Sequence, residues 1–212
     1  MTATEGVRAA RLPREQRRQQ VLAAALEVFS SSGYHAASMD EIAEHAGVSK
    51  PVLYQHFPGK LDLYLALLDA GIDELRAAAN AALTTTTDNR ERVSGMVTAY
   101  FAFVEDPAGA FRLVFESDLA NEPQVRQRVD AANLVLAQQT AAVIAEDTGL
   151  SDEQALLLAS GMQGMVQVAA RRWLAGDAQS VSREEAAELI TALAWRGIRG
   201  FPRTHPPHDE GT

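Results

Sequence analysis

The chain has 212 residues, 47% of them hydrophobic, with no cysteine and a formal net charge of −9. That is enough apolar material for one large or two small cores, and the abundance of alanine and leucine favours helix over strand. The missing thiol excludes disulfides, thiolate zinc sites and cysteine nucleophiles. No apolar run reaches the roughly 18 residues of a membrane helix and no signal-peptide pattern opens the chain, so the expectation is a soluble, cytoplasmic protein.

The negative charge is unevenly placed. Arg8, Arg11, Arg14, Arg17 and Arg18 face only Glu5 and Glu15 in the first 20 residues, whereas residues 1–60 sum to +1 and the remainder to −10. Such a division lets a basic leading segment meet polyanions while an acidic body stays soluble.

Residues 1–12 lack apolar periodicity and are expected to be disordered. A first helix begins at Pro13 or Arg14, buries Val21, Leu22, Ala25, Leu26 and Phe29 at helical spacing, and stops at Gly33. Ser38-Met39-Asp40-Glu41 reads as a capping box opening a helix through Ala46. Gly47 ends it. Ser49 is an N-cap candidate for a further short helix, and Pro51 is tolerated in its first turn, where its missing N–H costs nothing. Pro58-Gly59 breaks that helix, and a long one follows from Lys60 to about Leu83, with Leu61, Tyr64, Leu65, Leu68, Ile72 and Leu75 as its buried stripe.

After the polar break at 84–89, capping patterns mark helices from Asp88 to Glu105, from Asn121-Glu122-Pro123 to Asp147, from Ser151 to Ala175 and from Ser182 to about Gly200, with a short helix over 108–117. Residues 202–212 are expected to be a disordered tail. Nine helices and no convincing strand make an all-α protein.

Two short helices joined by a glycine turn form a helix-turn-helix, whose second helix enters the DNA major groove. In GVSKPVLYQHF, Lys50 and Gln55 suit base edges, Tyr54 and His56 suit phosphates, and Val52 suits a thymine methyl. Structurally, Tyr54 can instead pack on the first helix and His56 can cap its own helix end.

Residues 14 to 68 resemble the DNA-binding domain of the tetracycline-repressor (TetR) family of bacterial regulators. The resemblance rests on Phe29, Gly33-Tyr34, Ile42-Ala43, Ala46-Gly47-Val48, Leu53-Tyr54-Gln55-His56-Phe57 and Lys60-Leu63. It implies a helix-turn-helix domain over 13–60 and an effector-binding and dimerisation domain over 61–201, with Lys60 at a phosphate-contacting position. The resulting DNA-contact set is Arg17, Ser38, Ser49, Lys50, Val52, Tyr54, Gln55, His56 and Lys60. Residues 1–12 are then either an arm for a minor groove or a solvated tail, and Arg17 and Arg18 either reach phosphates or form a solvated first turn.

In the larger domain, Met96, Tyr100, Phe103, Phe111, Phe115, Met162 and Met165 either line an apolar effector pocket or simply fill the core. Arg112, Arg171 and Arg172 either meet an acidic ligand or lie at the surface. Ile190, Leu193, Ala194, Gly197, Ile198 and Phe201, with Gly161 and Gly164, offer a wide apolar surface on the last two long helices. The resemblance implies a homodimer there, matched to a palindromic operator; otherwise these helices complete a monomer core. The expectation is thus a repressor released by a small, largely apolar effector, with no cofactor, no metal and no membrane partner. An architectural DNA-binding protein without effector is the alternative. A helical enzyme is the weakest reading, since residues 57–204 hold no histidine, no glycine-rich phosphate loop is present, and Glu116, Asp118 and Glu122 read as solvated carboxylates.

Overall fold

The computed structural model describes residues 13–106, 119, 121–176 and 180–196. Among these are eight α-helices and no strand: α1 (Arg14–Ala36), α2 (Met39–His45), α3 (Lys50–His56), α4 (Lys60–Thr84), α5 (Asn89–Glu105), α6 (Pro123–Thr148), α7 (Asp152–Leu174) and α8 (Arg183–Arg196). The segments expected to be an arm (1–12), a ninth helix (108–117) and a tail (202–212) lie outside the described residues.

The starts of these helices follow their caps. Ser38 Oγ accepts the Glu41 N–H at 3.1 Å, Asp88 accepts that of Glu91 at 3.0 Å, and Ser151 forms a reciprocal capping box with Gln154. Ser49 departs from expectation. It stands at the N-cap of α3, but its hydroxyl caps nothing. The second helical residue is Pro51, which has no N–H, and the Val52 N–H is already bonded to the Ser49 carbonyl at 2.9 Å.

The turn between α2 and α3 is a Schellman motif. Val48 N–H donates to the Ala43 carbonyl and Gly47 N–H to the Glu44 carbonyl, both at 3.0 Å. Gly47 holds φ +61, the left-handed region that a Cβ disfavours. No atom lies within 4 Å of where that Cβ would sit.

Helices α1–α3 share a core with the first turns of α4: Val21, Ala25, Ile42, Leu53, Leu63, Tyr64 and Leu68 are all essentially inaccessible. Leu119, ahead of α6, and Val125, in its first turn, enter the same core. A second cluster joins α5, α7 and α8 around Val97, Phe101 and Ala170, and a third joins α6 to α7 through small residues such as Ala137 and Ala155. Arg128 on α6 pairs with Asp69 on α4 at 3.0 Å, so α4 is held by both halves of the molecule.

Gly33, expected to end α1, breaks it with φ 75 and ψ 167 before one further turn. That turn is fixed by Lys60, whose ammonium donates to the carbonyls of Tyr34 (2.7 Å) and Ala37 (2.8 Å) and lies 4.4 Å from the centroid of the Tyr34 ring. The rings of Phe29, Tyr34 and Tyr64 pack against one another at 5.3–5.8 Å.

Two substitutions test this account by urea denaturation of the purified protein. Gly47→Ala should cost about 1 kcal/mol, from backbone conformation alone because the space is open. Lys60→Met should cost roughly 1–3 kcal/mol by leaving carbonyls without their charged donor; unchanged stability in that variant would remove the ammonium from its docking role.

Candidate nucleic-acid interface and ligand cavity

Helix α3 is anchored by Leu53, which has 0% exposure, and by Phe57 just past its end. That anchoring turns the remaining side chains outward. Tyr54 is 47% exposed rather than packed on α1, Gln55 is exposed, and His56 is half-buried without capping its helix, since the terminal bond runs from Phe57 N–H to the Leu53 carbonyl. Lys50 is exposed and pairs with Asp40 of α2 at 2.6 Å. Val52 is half-buried. An exposed phenol, amide and ammonium on one short helix form a surface with donors and acceptors for base edges and phosphates.

The other members of the expected contact set are placed differently. Ser38 is occupied as a cap, Ser49 sits at the helix start, and Arg17 is half-buried on the first turns of α1. Lys60 is turned inward onto carbonyls of the α1 end, because those carbonyls and the Tyr34 ring offer a charged donor more than solvent does. Two residues outside that set stabilise the head: Arg18 lies 4.8 Å from the Phe57 ring centroid, and Gln20 donates to the Ala46 carbonyl at 2.8 Å.

The larger helical part contains a cavity of about 670 Å³ between α4, α5, α6 and α7, with Ala194 and Trp195 of α8 at its margin. Its volume lies within the roughly 300–1,000 Å³ usual for small-molecule sites. Leu75, Ala79 and Leu83 form the α4 wall, Met96 and Tyr100 the α5 wall, Leu136 and Ile144 the α6 wall, and Met162 and Val166 the α7 wall. Burial pushes the Tyr100 phenol above its ordinary pKa, opposed by the positive charge of Arg171.

Of the expected pocket residues, the cavity therefore brings together Met96, Tyr100 and Met162. Phe103 instead borders a separate void of about 20 Å³ with Ile72 and Asn133, room for about one water. Met165, half-buried on α7, is absent from both linings. Phe111, Phe115, Arg112, Glu116 and Asp118 lie outside the described residues, and Glu122 is half-buried at the start of α6. Arg171 and Arg172 are exposed and line no part of the cavity.

Of the cations expected from sequence, the two that are described, Arg171 and Arg172, are thus not part of the lining. The one the cavity does contain among the described residues is Arg92, accompanied by Asp147. A signal for it existed, since Arg92, Met96 and Tyr100 recur at four-residue spacing on one face of α5.

No helix among the described residues is long and apolar enough to cross a membrane. Residues 21–67 match the family model for bacterial regulatory proteins of the tetR family. Over 194 residues, 92% of this chain and 88% of the relative, the sequence is 45% identical to the HTH-type transcriptional activator FasR of Mycolicibacterium smegmatis. A TetR-like transcriptional regulator from Rhodococcus sp. RHA1 superposes with a TM-score of 0.70 at 29% identity, covering 90% of this chain and 100% of that one. The regulator FadR from Bacillus subtilis, solved in complex with stearoyl-CoA, shares the fold with a TM-score of 0.69 at 18% identity, covering 85% of this chain and 98% of that one. An exposed recognition helix, an all-helical body and this likeness along nearly the whole chain lead to one conclusion: the protein belongs to the TetR family of transcriptional regulators.

Proposed function

We propose that the protein binds a palindromic operator as a homodimer and that a small, largely apolar ligand in the 670 Å³ cavity controls its occupancy. The observation that carries this reading is the sharing of α4. Its first turns are core of the DNA-binding head, and Leu75, Ala79 and Leu83 further along it are cavity wall. A ligand that spreads the wall tilts α4 and moves the head with it. The two heads of a dimer must sit about one helical turn apart, roughly 34–36 Å, so a change in tilt alters affinity by shifting a population between spacings. The stearoyl-CoA held by the FadR neighbour favours a long apolar chain as ligand.

Within the head, Tyr54, Gln55, His56 and Lys50 on α3 are the DNA-contacting group, with Lys50 exchanging its Asp40 partner for DNA. Lys60 is reassigned from phosphate contact to docking of α4. The sign of regulation follows the naming of FasR as an activator in preference to the repression expected from family resemblance alone. Release by ligand then lowers transcription, and a reporter assay with the native promoter decides between the two.

Dimerisation uses the outward face of α7 and α8. Leu157 is 74% and Val168 60% exposed, and Gly161 and Gly164 fall between them at spacings of four, three and four residues, on one face. A Cβ at either glycine would meet nothing within 4 Å, leaving room for a second helix to approach. Exposed Leu189 and Trp195 extend the apolar surface onto α8.

Two measurements test the reading. Against an operator selected from a random duplex library, Tyr54→Ala with Gln55→Ala should raise Kd about tenfold or more and leave thermal stability nearly unchanged; equal affinity for the selected site would remove α3 from recognition. Leu157→Glu with Val168→Glu should convert a dimer to a folded monomer in sedimentation and abolish operator binding. Persistence of the dimer would place the interface elsewhere.

A further inference from the structure

One end of the cavity differs chemically from the rest. The apolar body runs along Met96, Tyr100, Leu136 and Met162, but at the start of α5 the lining changes to Asn89, Arg92 and Asp147. The Arg92 side chain is only 19% exposed. Its Nε donates to the Thr86 carbonyl at 2.8 Å and its Nη1 to Asn89 Oδ1 at 3.0 Å. The Asp147 carboxylate lies 4.0 Å from Nη1, beyond hydrogen-bond reach, and accepts instead from the Asn89 amide. Nη2 makes no hydrogen bond among the described residues. A guanidinium carries five donors in a planar fork, and a charge largely withdrawn from water needs an opposite charge in contact with it. Asp147, 40% exposed, is near enough to attract Arg92 but does not engage its fork.

We infer that the cavity is built for an amphipathic ligand: an apolar chain along its body and an anionic head, carboxylate or phosphate, seated on Arg92. This rests on the cavity being the effector site. Asp147 acts as the competitor, since its carboxylate repels an arriving anion and must be overcome by the new contact. Arg92 is therefore the specificity-determining residue for charged over neutral ligands, and Asp147 tunes affinity in the opposite direction.

Calorimetric titration of the full-length protein with dodecanoate, dodecanoyl-CoA and dodecan-1-ol tests this. At least one anionic probe should bind about tenfold or more tightly than the alcohol. Arg92→Gln should erase that preference while leaving alcohol affinity within about threefold, and Asp147→Asn should tighten the anionic probe severalfold. Preference for the acid alone identifies a carboxylate head, and preference for the thioester alone a phosphate head; either supports the proposal. Ala159→Trp, placed in the cavity wall, should abolish binding of all three probes. If the alcohol binds as tightly as both anions and Ala159→Trp still blocks it, the role of Arg92 is overturned while the cavity reading stands. If no probe binds, both fall. Because Arg92 also secures the Thr86 carbonyl, ligand-free melting of Arg92→Gln is measured alongside, and Asp147→Asn keeps the test independent of that variant.

Discussion

Everything distal to the DNA-binding head depends on how the first residue of α4 is seated. Lys60 places one ammonium against the carbonyls of Tyr34 and Ala37 and over the Tyr34 ring, while Tyr64, one turn later, locks into the same aromatic group. Both carbonyls belong to the short turn that follows the break at Gly33. A neutral side chain would leave them bare, and a shorter one would not span the gap. With the ammonium in place, a 25-residue helix projects from the head as a rod of roughly 37 Å at 1.5 Å per residue. Its far half is free to serve another purpose, and it forms a cavity wall.

How the head meets DNA is constrained by the same economy of charge. The chain as a whole carries −9, so attraction to phosphates must be local. On the third helix it is further reduced, because Lys50 is matched by Asp40. Exposed pairs of this kind contribute little to stability and exchange readily when a phosphate replaces the carboxylate. The acidic body meanwhile disfavours indiscriminate adhesion to duplex. On the reading proposed above, a head poised near neutrality relies more on the fit of α3 side chains to a particular sequence than on bulk electrostatics.

Much of the architecture was legible because it is encoded locally. Ser38, Asp88 and Ser151 mark helix starts through bonds spanning three residues, and Gly47 and Gly149 mark ends through left-handed φ, so each can be read without knowing what packs where. What escaped depends on tertiary placement. Lys60 has the sequence context of a surface lysine, and only the fold brings the end of α1 within its reach. Ser49 looked like a cap, but Pro51 deprives it of a donor. Helix α7 is apolar around most of its circumference, so its sequence could not distinguish Met162, on the cavity, from Met165, off it. Arg92 is hidden from sequence for a similar reason: a charged residue in the first turn of a helix reads as solvated, and only the fold brings Asp147 of α6 alongside it.

These placements put a basic side chain on main-chain oxygen near each end of α4. At its start, Lys60 grips the head. Just beyond its last turn, Arg92 bonds the Thr86 carbonyl in the loop that leads into α5. Between them lies the wall formed by Leu75, Ala79 and Leu83. A group that binds Arg92 therefore acts on the anchor of one end of the helix, and the stiffness of a continuous α-helix carries any rotation to the other. For the ligand proposed above, chain length and head charge would act on different parts of the lever, the tail by filling the space beside α4 and the head by drawing on its distal tether. A ligand lacking either part would displace α4 less than one possessing both, which gives the cavity a physical basis for discriminating among amphipaths rather than answering to apolar bulk alone.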